Sequence, residues 1–299
     1  MELRQLRHFA AVADELHFGR AAEKLGMTQP PLSQSIQRLE AELGARLFER
    51  THRSVEMTPV GAQLLPMVRE MLARVEQLPS LAQRLLLGDA GQIRLAFVTT
   101  ADYGVLPELL HRYASDFPNV RVHLLEATSD VQIESIISEE LDAGIVIGAG
   151  EPLLPSSLEY LPLHHERLML AVPVSLAQDR MGESSTAELA AFADRPLIIF
   201  PRRVAPGLHD AITGCFAARD LELDLGQEAI QMQTIVSLVS AGLGIAVVPE
   251  SLKNLQRTGV RYFDLEGDSP VIESGLIWRR TNALPTLRNL VRIARDIAA

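Results

Sequence analysis

Apolar residues in the first forty-odd positions recur at helical spacing in three runs separated by turn signals. Leu3, Leu6, Phe9, Ala10, Ala13 and Leu16 fall every three or four residues and predict a first helix with one inward stripe. Ala21, Ala22 and Leu25 predict a short second helix that stops at Gly26, a residue free to take the left-handed backbone that side chains disfavour. Thr28 then stands as an N-cap. Gln29, Pro30 and Pro31 fill a first turn whose N–H groups lack intrahelical partners in any case, so the prolines start a third helix rather than break it. Leu32, Ile36, Leu39 and Leu43 form its inward stripe, and Gln29, Ser33 and Gln37 repeat on the opposite one with Pro30, Gln34 and Arg38 alongside. The following "ERTHRSVE" reads as a short hairpin with Arg50, His52 and Arg53 near its tip.

Helix, turn, helix and hairpin in this order predict a winged helix-turn-helix over residues 1–58, a unit that sets one helix into the DNA major groove. A solvated polar face is the ordinary explanation of such a stripe on an isolated helix; here the neighbouring elements favour a reading face. Gln can bond bidentately to adenine, Ser to several base edges, and Pro can touch a thymine methyl. Thr28, Gln29, Pro30, Pro31, Ser33, Gln34, Gln37 and Arg38 are therefore the expected reading residues, and Arg50 and Arg53 are expected on the backbone or in the minor groove.

Thr58 and Pro59 repeat the cap-then-proline start. Leu64, Met67, Val68, Met71, Leu72, Val75, Leu78, Leu81, Ala82 and Leu85 carry a helix toward Gly88. Residues 59–88 would extend about 43 Å at ~1.5 Å per residue. A helix that long on so small a head cannot bury its stripe alone, so a second copy of the helix is the expected cover, with kinks at Pro66 and Pro79.

Beyond "GDAG" the pattern changes to alternating strands and helices. Strands are expected at "QIRLAFV", "VRVHLLEA", "AGIVIG", "RLMLAVP", "PLIIF", "GIAVVP" and "ESGLIWRR". Helices are expected at "YGVLPELLHRYASDF" and "DVQIESIISEEL", near 207–219 and 231–241, and at 285–298. This is the grammar of a parallel α/β sheet covered on both faces. It predicts a two-lobed unit over 89–299, with lobe I at 91–161 plus 266–299 and lobe II at 162–265. Ligands of such sheets settle beyond the strand carboxyl ends, near helix N-termini that attract anions. Thr99, Thr100 and Asp102 stand at one such end, Thr128 and Ser129 at a second, and Phe200, Pro201, Arg202 and Arg203 at a third.

The formal charge of −10 disfavours a DNA binder until it is divided. Residues 1–58 carry eight basic and eight acidic side chains, 59–88 three and two, and the remainder 17 and 28. The acidity belongs to the α/β unit, and a neutral head needs well-placed arginines and more than one copy for useful affinity. One cysteine, Cys215, leaves nothing for a disulfide or a cysteine metal cluster, and no metal site is expected. Without a signal-peptide pattern or a long apolar run the expected location is the cytoplasm, with no membrane partner. No GxSxG, P-loop or HExxH occurs, and His164 and His165 are adjacent rather than a helical turn apart, so an enzyme is disfavoured. A solute-binding protein built on 89–299 alone is the other alternative; the attached head argues against it.

The stretch "LRQLRHFAAVADELHFGRAAEKLGMTQPPLSQSIQRLEAELGARLFER", continuing through "MTPVGAQLL", resembles the LysR-type transcriptional regulators, and the later elements follow in that family's order. Within the family, "MELRQL", "QPP" and the C-terminal spacing look most like the subgroup controlling aromatic and chloroaromatic catabolism. The resemblance implies a homo-oligomer, a dimer of dimers, with an effector domain like a periplasmic binding protein. It implies double-stranded promoter DNA as partner, a small organic anion as effector in place of a cofactor, and RNA polymerase as a candidate partner. It places effector contacts on the strand-end hydroxyls and on the loop after "LIIF". Some relatives read by aromatic acids carry an arginine shortly after "DAG"; here Gly144 is followed by Ile145, Val146 and Ile147, so Arg202 or Arg203 would have to supply the counter-charge.

Overall fold

The three apolar runs at the start of the chain fold into three helices, α1 (Leu3–Glu15), α2 (Phe18–Lys24) and α3 (Gln29–Leu43), followed by a hairpin of β1 (Phe48–Arg50) and β2 (Val55–Met57) and the long helix α4 (Pro59–Leu87). The computed structural model describes residues 1–50, 54–148 and 154–298. It divides into two compact units, Met1–Gln83 and Arg84–Ala299. Phe9, Val12, Leu32, Ile36, Leu39 and Leu47 form the core of the first unit, each with 0% exposure. Phe48 places its ring 5.5 Å from that of Phe9 and 6.0 Å from that of Phe18. Each such burial contributes roughly 1.5–3 kcal/mol.

Two apolar positions depart from the expected stripes. Leu16 takes a left-handed backbone (φ 44) as the cap of α1 and is 46% exposed, and Leu43, beside the cap Gly44 (φ 65), is 39% exposed. Both lie where a helix ends, so the periodicity that would bury them has run out. The two threonine caps also differ. Thr28 has the extended backbone of an N-cap but no side-chain capping bond. The donors its hydroxyl would accept belong to the second and third helical residues, which are Pro30 and Pro31 and carry no N–H. Thr58 has such a donor: its Oγ1 accepts the Gly61 N–H at 3.0 Å and donates to the Arg46 carbonyl at 2.7 Å. Helix α4 runs unbroken through Pro66 and Pro79. Only Gly61, Leu65 and Val68 of it are buried, whereas Met67, Met71, Leu78, Leu85 and Leu86 are exposed.

In the second unit the strands β3 (Ala90–Phe97), β4 (Asn119–Glu126) and β5 (Ala143–Gly148) alternate with α5 (Thr99–Asp102), α6 (Val105–Asp116) and α7 (Ser129–Ile137). Then come β6 (Leu158–Pro173), α8 (Val174–Met181), β7 (Thr186–Ala187), β8 (Leu197–Ile199), α9 (Pro206–Ala217), β9 (Leu225–Glu228) and α10 (Met232–Ser240). The chain finishes with β10 (Ala246–Pro249), β11 (Val260–Leu265), β12 (Val271–Arg279) and α11 (Pro285–Ala298). The main sheet has the order β4-β3-β5-β12-β6-β11-β7, with β10 also on β6.

The expected parallel sheet is mixed. β3 runs parallel to β4 and β5, but β12 is antiparallel to β5 and β6, and β6 is antiparallel to β10 and β11. The cause is the double crossing between lobes: β6 carries the chain out, β12 carries it back, and a returning strand beside an outgoing one runs opposite. β6 pairs with β12 from Leu158 to Arg167 and with β10 and β11 from Leu168 to Pro173. Its first half was not among the expected strands; it contains Pro162, which is tolerated at a register shift opposite Ser274 and Gly275. Ile93, Leu95, Leu109, Tyr113 and Leu276 centre one core, and Leu170, Phe192, Val236, Ile245 and Phe263 centre the other. Among the described residues no helix is long and apolar enough to cross a membrane.

Gly61 is where α4 meets the hairpin: a Cβ there would lie 2.4 Å from the Leu47 carbonyl oxygen and 2.9 Å from Met57 Cγ. The first of these neighbours is backbone and cannot swing aside. Gly61→Ala should therefore destabilise the first unit by ~1–3 kcal/mol, seen as faster amide exchange in peptides from α1 to α3. Wild-type protection in those peptides would refute the close approach.

Candidate functional site

The outer face of α3 carries the residues expected to read DNA. Thr28, Gln29, Pro30, Pro31, Gln34, Gln37 and Arg38 are exposed, and Ser33 is half-buried. The structure gives Ser33 and Arg50 to each other: Arg50 Nη1 donates to Ser33 Oγ at 2.8 Å, its guanidinium lies 4.4 Å over the Phe18 ring, and Nη2 is 3.5 Å from Glu40 Oε2. Glu40 Oε1 in turn accepts the N–H groups of Leu47 and Phe48 at 2.8 and 3.1 Å. Arg50 thus ties the hairpin to α3, a positioning role that sequence spacing does not reveal. Arg53, like His52, lies outside the described residues. Arg46, exposed in the turn before β1, was missed; it shares with Gln37 a concavity of about 530 Å³ beside α3. Two polar pairs hold α3 to α1: His8 Nδ1 lies 2.7 Å from Ser35 Oγ, and Gln5 Nε2 donates to Glu42 at 3.2 Å.

In the second unit a cavity of about 250 Å³ opens beyond the carboxyl ends of β3, β4 and β5 and is closed from the other lobe by residues after β8 and at the start of α10. Thr99, Thr100, Thr128 and Phe200 line it, as expected positions should. Asp102, Pro201, Arg202 and Arg203 do not. Asp102 is exposed on the short helix α5, and Arg203 is exposed in the turn after Phe200. Arg202 is turned onto α9, where Nε and Nη2 reach the two carboxylate oxygens of Asp210 at 2.7 and 2.6 Å. That bond holds the Asp210 carboxyl below the usual carboxylate range. The arginine counter-charge expected for an anion is therefore absent from the wall, and among the described residues no Lys, Arg or His lines the cavity.

Positive potential comes instead from backbone. Thr128, Ala205 and Gln231 are the N-caps of α7, α9 and α10, all three line the cavity, and none makes a side-chain capping bond. Thr100 is 4% exposed and its Oγ1 has no hydrogen-bond partner. A buried hydroxyl left unpaired costs about 1–3 kcal/mol, which a bound acceptor or donor would recover. Thr99 Oγ1 lies 2.6 Å from both Glu126 Oε1 and Gln231 Oε1. One hydroxyl donates once, so it donates to the carboxylate and accepts from a Gln231 amide turned nitrogen-first. This contact joins the lobes across the cavity. Glu126 and Gln231 were missed, although Glu126 ends a strand and Gln231 begins a helix, the two kinds of position at which ligands settle.

A head that offers one helix face to DNA, joined in the same chain to an α/β unit with a cavity at its strand ends, defines a DNA-binding regulator with an effector domain. Residues 3–62 match the family model for bacterial regulatory helix-turn-helix proteins of the lysR family, and residues 87–299 match the LysR substrate binding domain. The chain belongs to the LysR family of transcriptional regulators, and it is a regulator rather than an enzyme. It is 55% identical over 296 residues to the HTH-type transcriptional regulator IlvR of Caulobacter vibrioides, covering 99% of this chain and 98% of that one. It is 34% identical over 266 residues to BenM of Acinetobacter baylyi, covering 89% and 86%. Among solved structures, full-length CbnR complexed with its target DNA superposes with a TM-score of 0.77 at 28% identity, covering 100% of both chains.

The His8 pair that anchors α3 makes the head sensitive to pH. Burial, helped by nearby Arg4, holds the His8 imidazole below its ordinary 6.5. A base whose folded value is depressed stabilises the fold fully above 6.5 and loses that contribution as pH falls below it, because the unfolded chain takes up the proton first. Urea midpoints should drop between pH 7 and 5, and the drop should shrink in His8→Gln. An unchanged pH slope in the variant would remove His8 as the cause.

Proposed function

We propose that the chain binds its operator through Gln29, Pro30, Pro31, Gln34, Gln37 and Arg38 and alters promoter output when a small organic acid occupies the cavity at Thr100 and Thr128. The observation that carries the effector half is the buried, unpaired hydroxyl of Thr100, a residue in the wall of a cavity rimmed by three helix N-termini whose caps make no side-chain bond. The working division is a head at 1–58, a dimerisation helix at 59–88 and an effector domain at 89–299. The exposed Met67, Met71, Leu78 and Leu85 of α4 support pairing with a second copy. Two such dimers acting together make a tetramer with four heads, which compensates for a head of zero net charge. Bending 20–30 base pairs costs of order 1–6 kcal/mol, so a modest effector-driven shift can change the bend, and with it access for RNA polymerase, without releasing the protein.

Gel shift with the DNA upstream of the chain's own gene separates this reading from a solute-binding protein, which would leave the DNA free. Gln37→Ala or Gln29→Ala should cost ~1–3 kcal/mol at one base pair, whereas replacing a backbone-contacting arginine weakens all sequences alike. If affinities and footprints of both glutamine variants match wild type, the reading face is elsewhere. Sedimentation should give a tetramer; a stable monomer at micromolar concentration defeats the bending mechanism. Thr100→Val and Thr128→Val should each weaken effector binding in calorimetry.

A further inference from the structure

The ionic character of the cavity wall points to a narrower ligand class than an organic acid. Among the described residues that line it, Glu126 is the one with an ionisable side chain. One of its oxygens accepts the Thr99 hydroxyl at 2.6 Å; the other has no hydrogen-bond partner and Glu126 makes no ion pair among the described residues. A simple carboxylate entering here meets helix N-termini and the Thr100 hydroxyl, which favour it, and a bare carboxylate with no cation nearby, which does not. A ligand carrying both an ammonium and a carboxylate satisfies both halves of the wall.

We propose that the effector is an α-amino acid with an apolar side chain, its ammonium held by Glu126 and its carboxylate by Thr100 and the N-termini of α7 and α10. The proposal rests on reading this cavity as the effector site. Spacing supports the α-amino acid over a longer ω-amino acid. Thr100 and Glu126 follow and end the neighbouring parallel strands β3 and β4, with Phe97 paired to Glu126 in register. Such strands lie roughly 4.7–4.9 Å apart, and Thr99, the chain neighbour of Thr100, reaches Glu126 directly, so the two charge-binding groups are close, as the two charges of an α-amino acid are. Apart from Glu126 and the hydroxyls and amide at the helix N-termini, the wall is hydrocarbon, with Val98, Ile147, Phe200, Leu208, Ile230 and Met232 as its large apolar members. These favour an apolar side chain. At about 250 Å³ the cavity falls below the roughly 300–1,000 Å³ of drug-sized sites, which suits one amino acid rather than a peptide.

The test is calorimetry on the full chain with L-valine, L-leucine, L-isoleucine, L-methionine and L-phenylalanine, each beside its 2-oxo acid and its decarboxylated amine, with benzoate and cis,cis-muconate as plain acids. The expected result is one amino acid binding at least about tenfold tighter than its own 2-oxo acid and amine. Glu126→Gln, an isosteric change at an exposed position, should abolish that preference and leave or improve binding of the 2-oxo acid. Thr100→Val should weaken both. If a plain or 2-oxo acid binds more tightly than every amino acid and Thr100→Val weakens it, the zwitterion proposal falls and the organic-acid reading stands. If an amino acid binds but neither variant affects it, both fall. Absence of binding by any amino acid, in protein that still shifts operator DNA, also overturns the proposal.

Discussion

The effector unit depends on one antiparallel ladder, the pairing of β6 with β12 from Leu158–Arg279 at one end to Arg167–Val271 at the other. These two strands are the chain's passages between lobes, and each is hydrogen-bonded to the other at the crossing. Side chains on them belong to different cores: Leu163 and Leu276 to the first, Leu168, Leu170 and Ile272 to the second. A pair of strands resists shear along the ladder but twists and bends at low cost, particularly at the register shift beside Ser274 and Gly275. The lobes are thus held in register with one another while retaining a soft angular coordinate. The Thr99–Gln231 contact spans that coordinate with hydrogen bonds that a ligand can supplement or displace.

Electrostatics assigns the two halves of the chain different problems. The head binds a polyanion with no net charge of its own, and it commits one of its arginines, Arg50, to internal structure. Of the residues expected to read DNA on α3, Arg38 is the one cation and the others are neutral groups, which on the proposed reading discriminate sequence better than they generate affinity. The effector unit has the reverse arrangement. It is acidic, and Arg202, the cation nearest to the expected role, is consumed by Asp210 on α9. What remains at the cavity is backbone dipole, hydroxyl and a carboxylate, a wall that on the proposed reading selects by the arrangement of charge on the ligand rather than by its net charge.

Much of the fold was legible because it is written in local periodicity. The last helix was expected at 285–298 and is Pro285–Ala298; the strand expected at "AGIVIG" is Ala143–Gly148; Gly26 and the Pro30–Pro31 pair mark the turn of the head. Strand direction was not legible, since the hydrophobic pattern of a buried strand reads the same either way along a sheet. The first half of β6 contains Pro162, which local rules exclude from a strand and only a bulge permits. At the sites, residue type and strand-end position found Thr99, Thr100, Thr128 and Phe200. They also pointed to Asp102, Pro201, Arg202 and Arg203, which do not line the cavity, and they did not show the ties of Arg50 to Ser33 and Glu40 or of Arg202 to Asp210, because such ties are decided by tertiary partners. Glu126 was overlooked for a different reason: an anionic ligand makes cations the expected partners and passes over an acid at a strand end.

Coupling between ligand and DNA has to be carried by a difference in affinity between lobe arrangements, since a ligand that binds two arrangements equally shifts neither. On the proposed reading the ligand touches Thr100 and Glu126 from one lobe and Phe200 and Met232 from the other, so an opened cavity forfeits about half of its contacts. Contacts of that kind can supply a few kcal/mol of preference, comparable with the ~1–6 kcal/mol cost of bending an operator and small beside the binding of several heads at once. The effector can then redistribute the protein among DNA-bound shapes while remaining too weak to strip it from the DNA. A regulator with neutral heads gains from this balance, because multivalent binding supplies the occupancy and leaves the ligand to set only the shape.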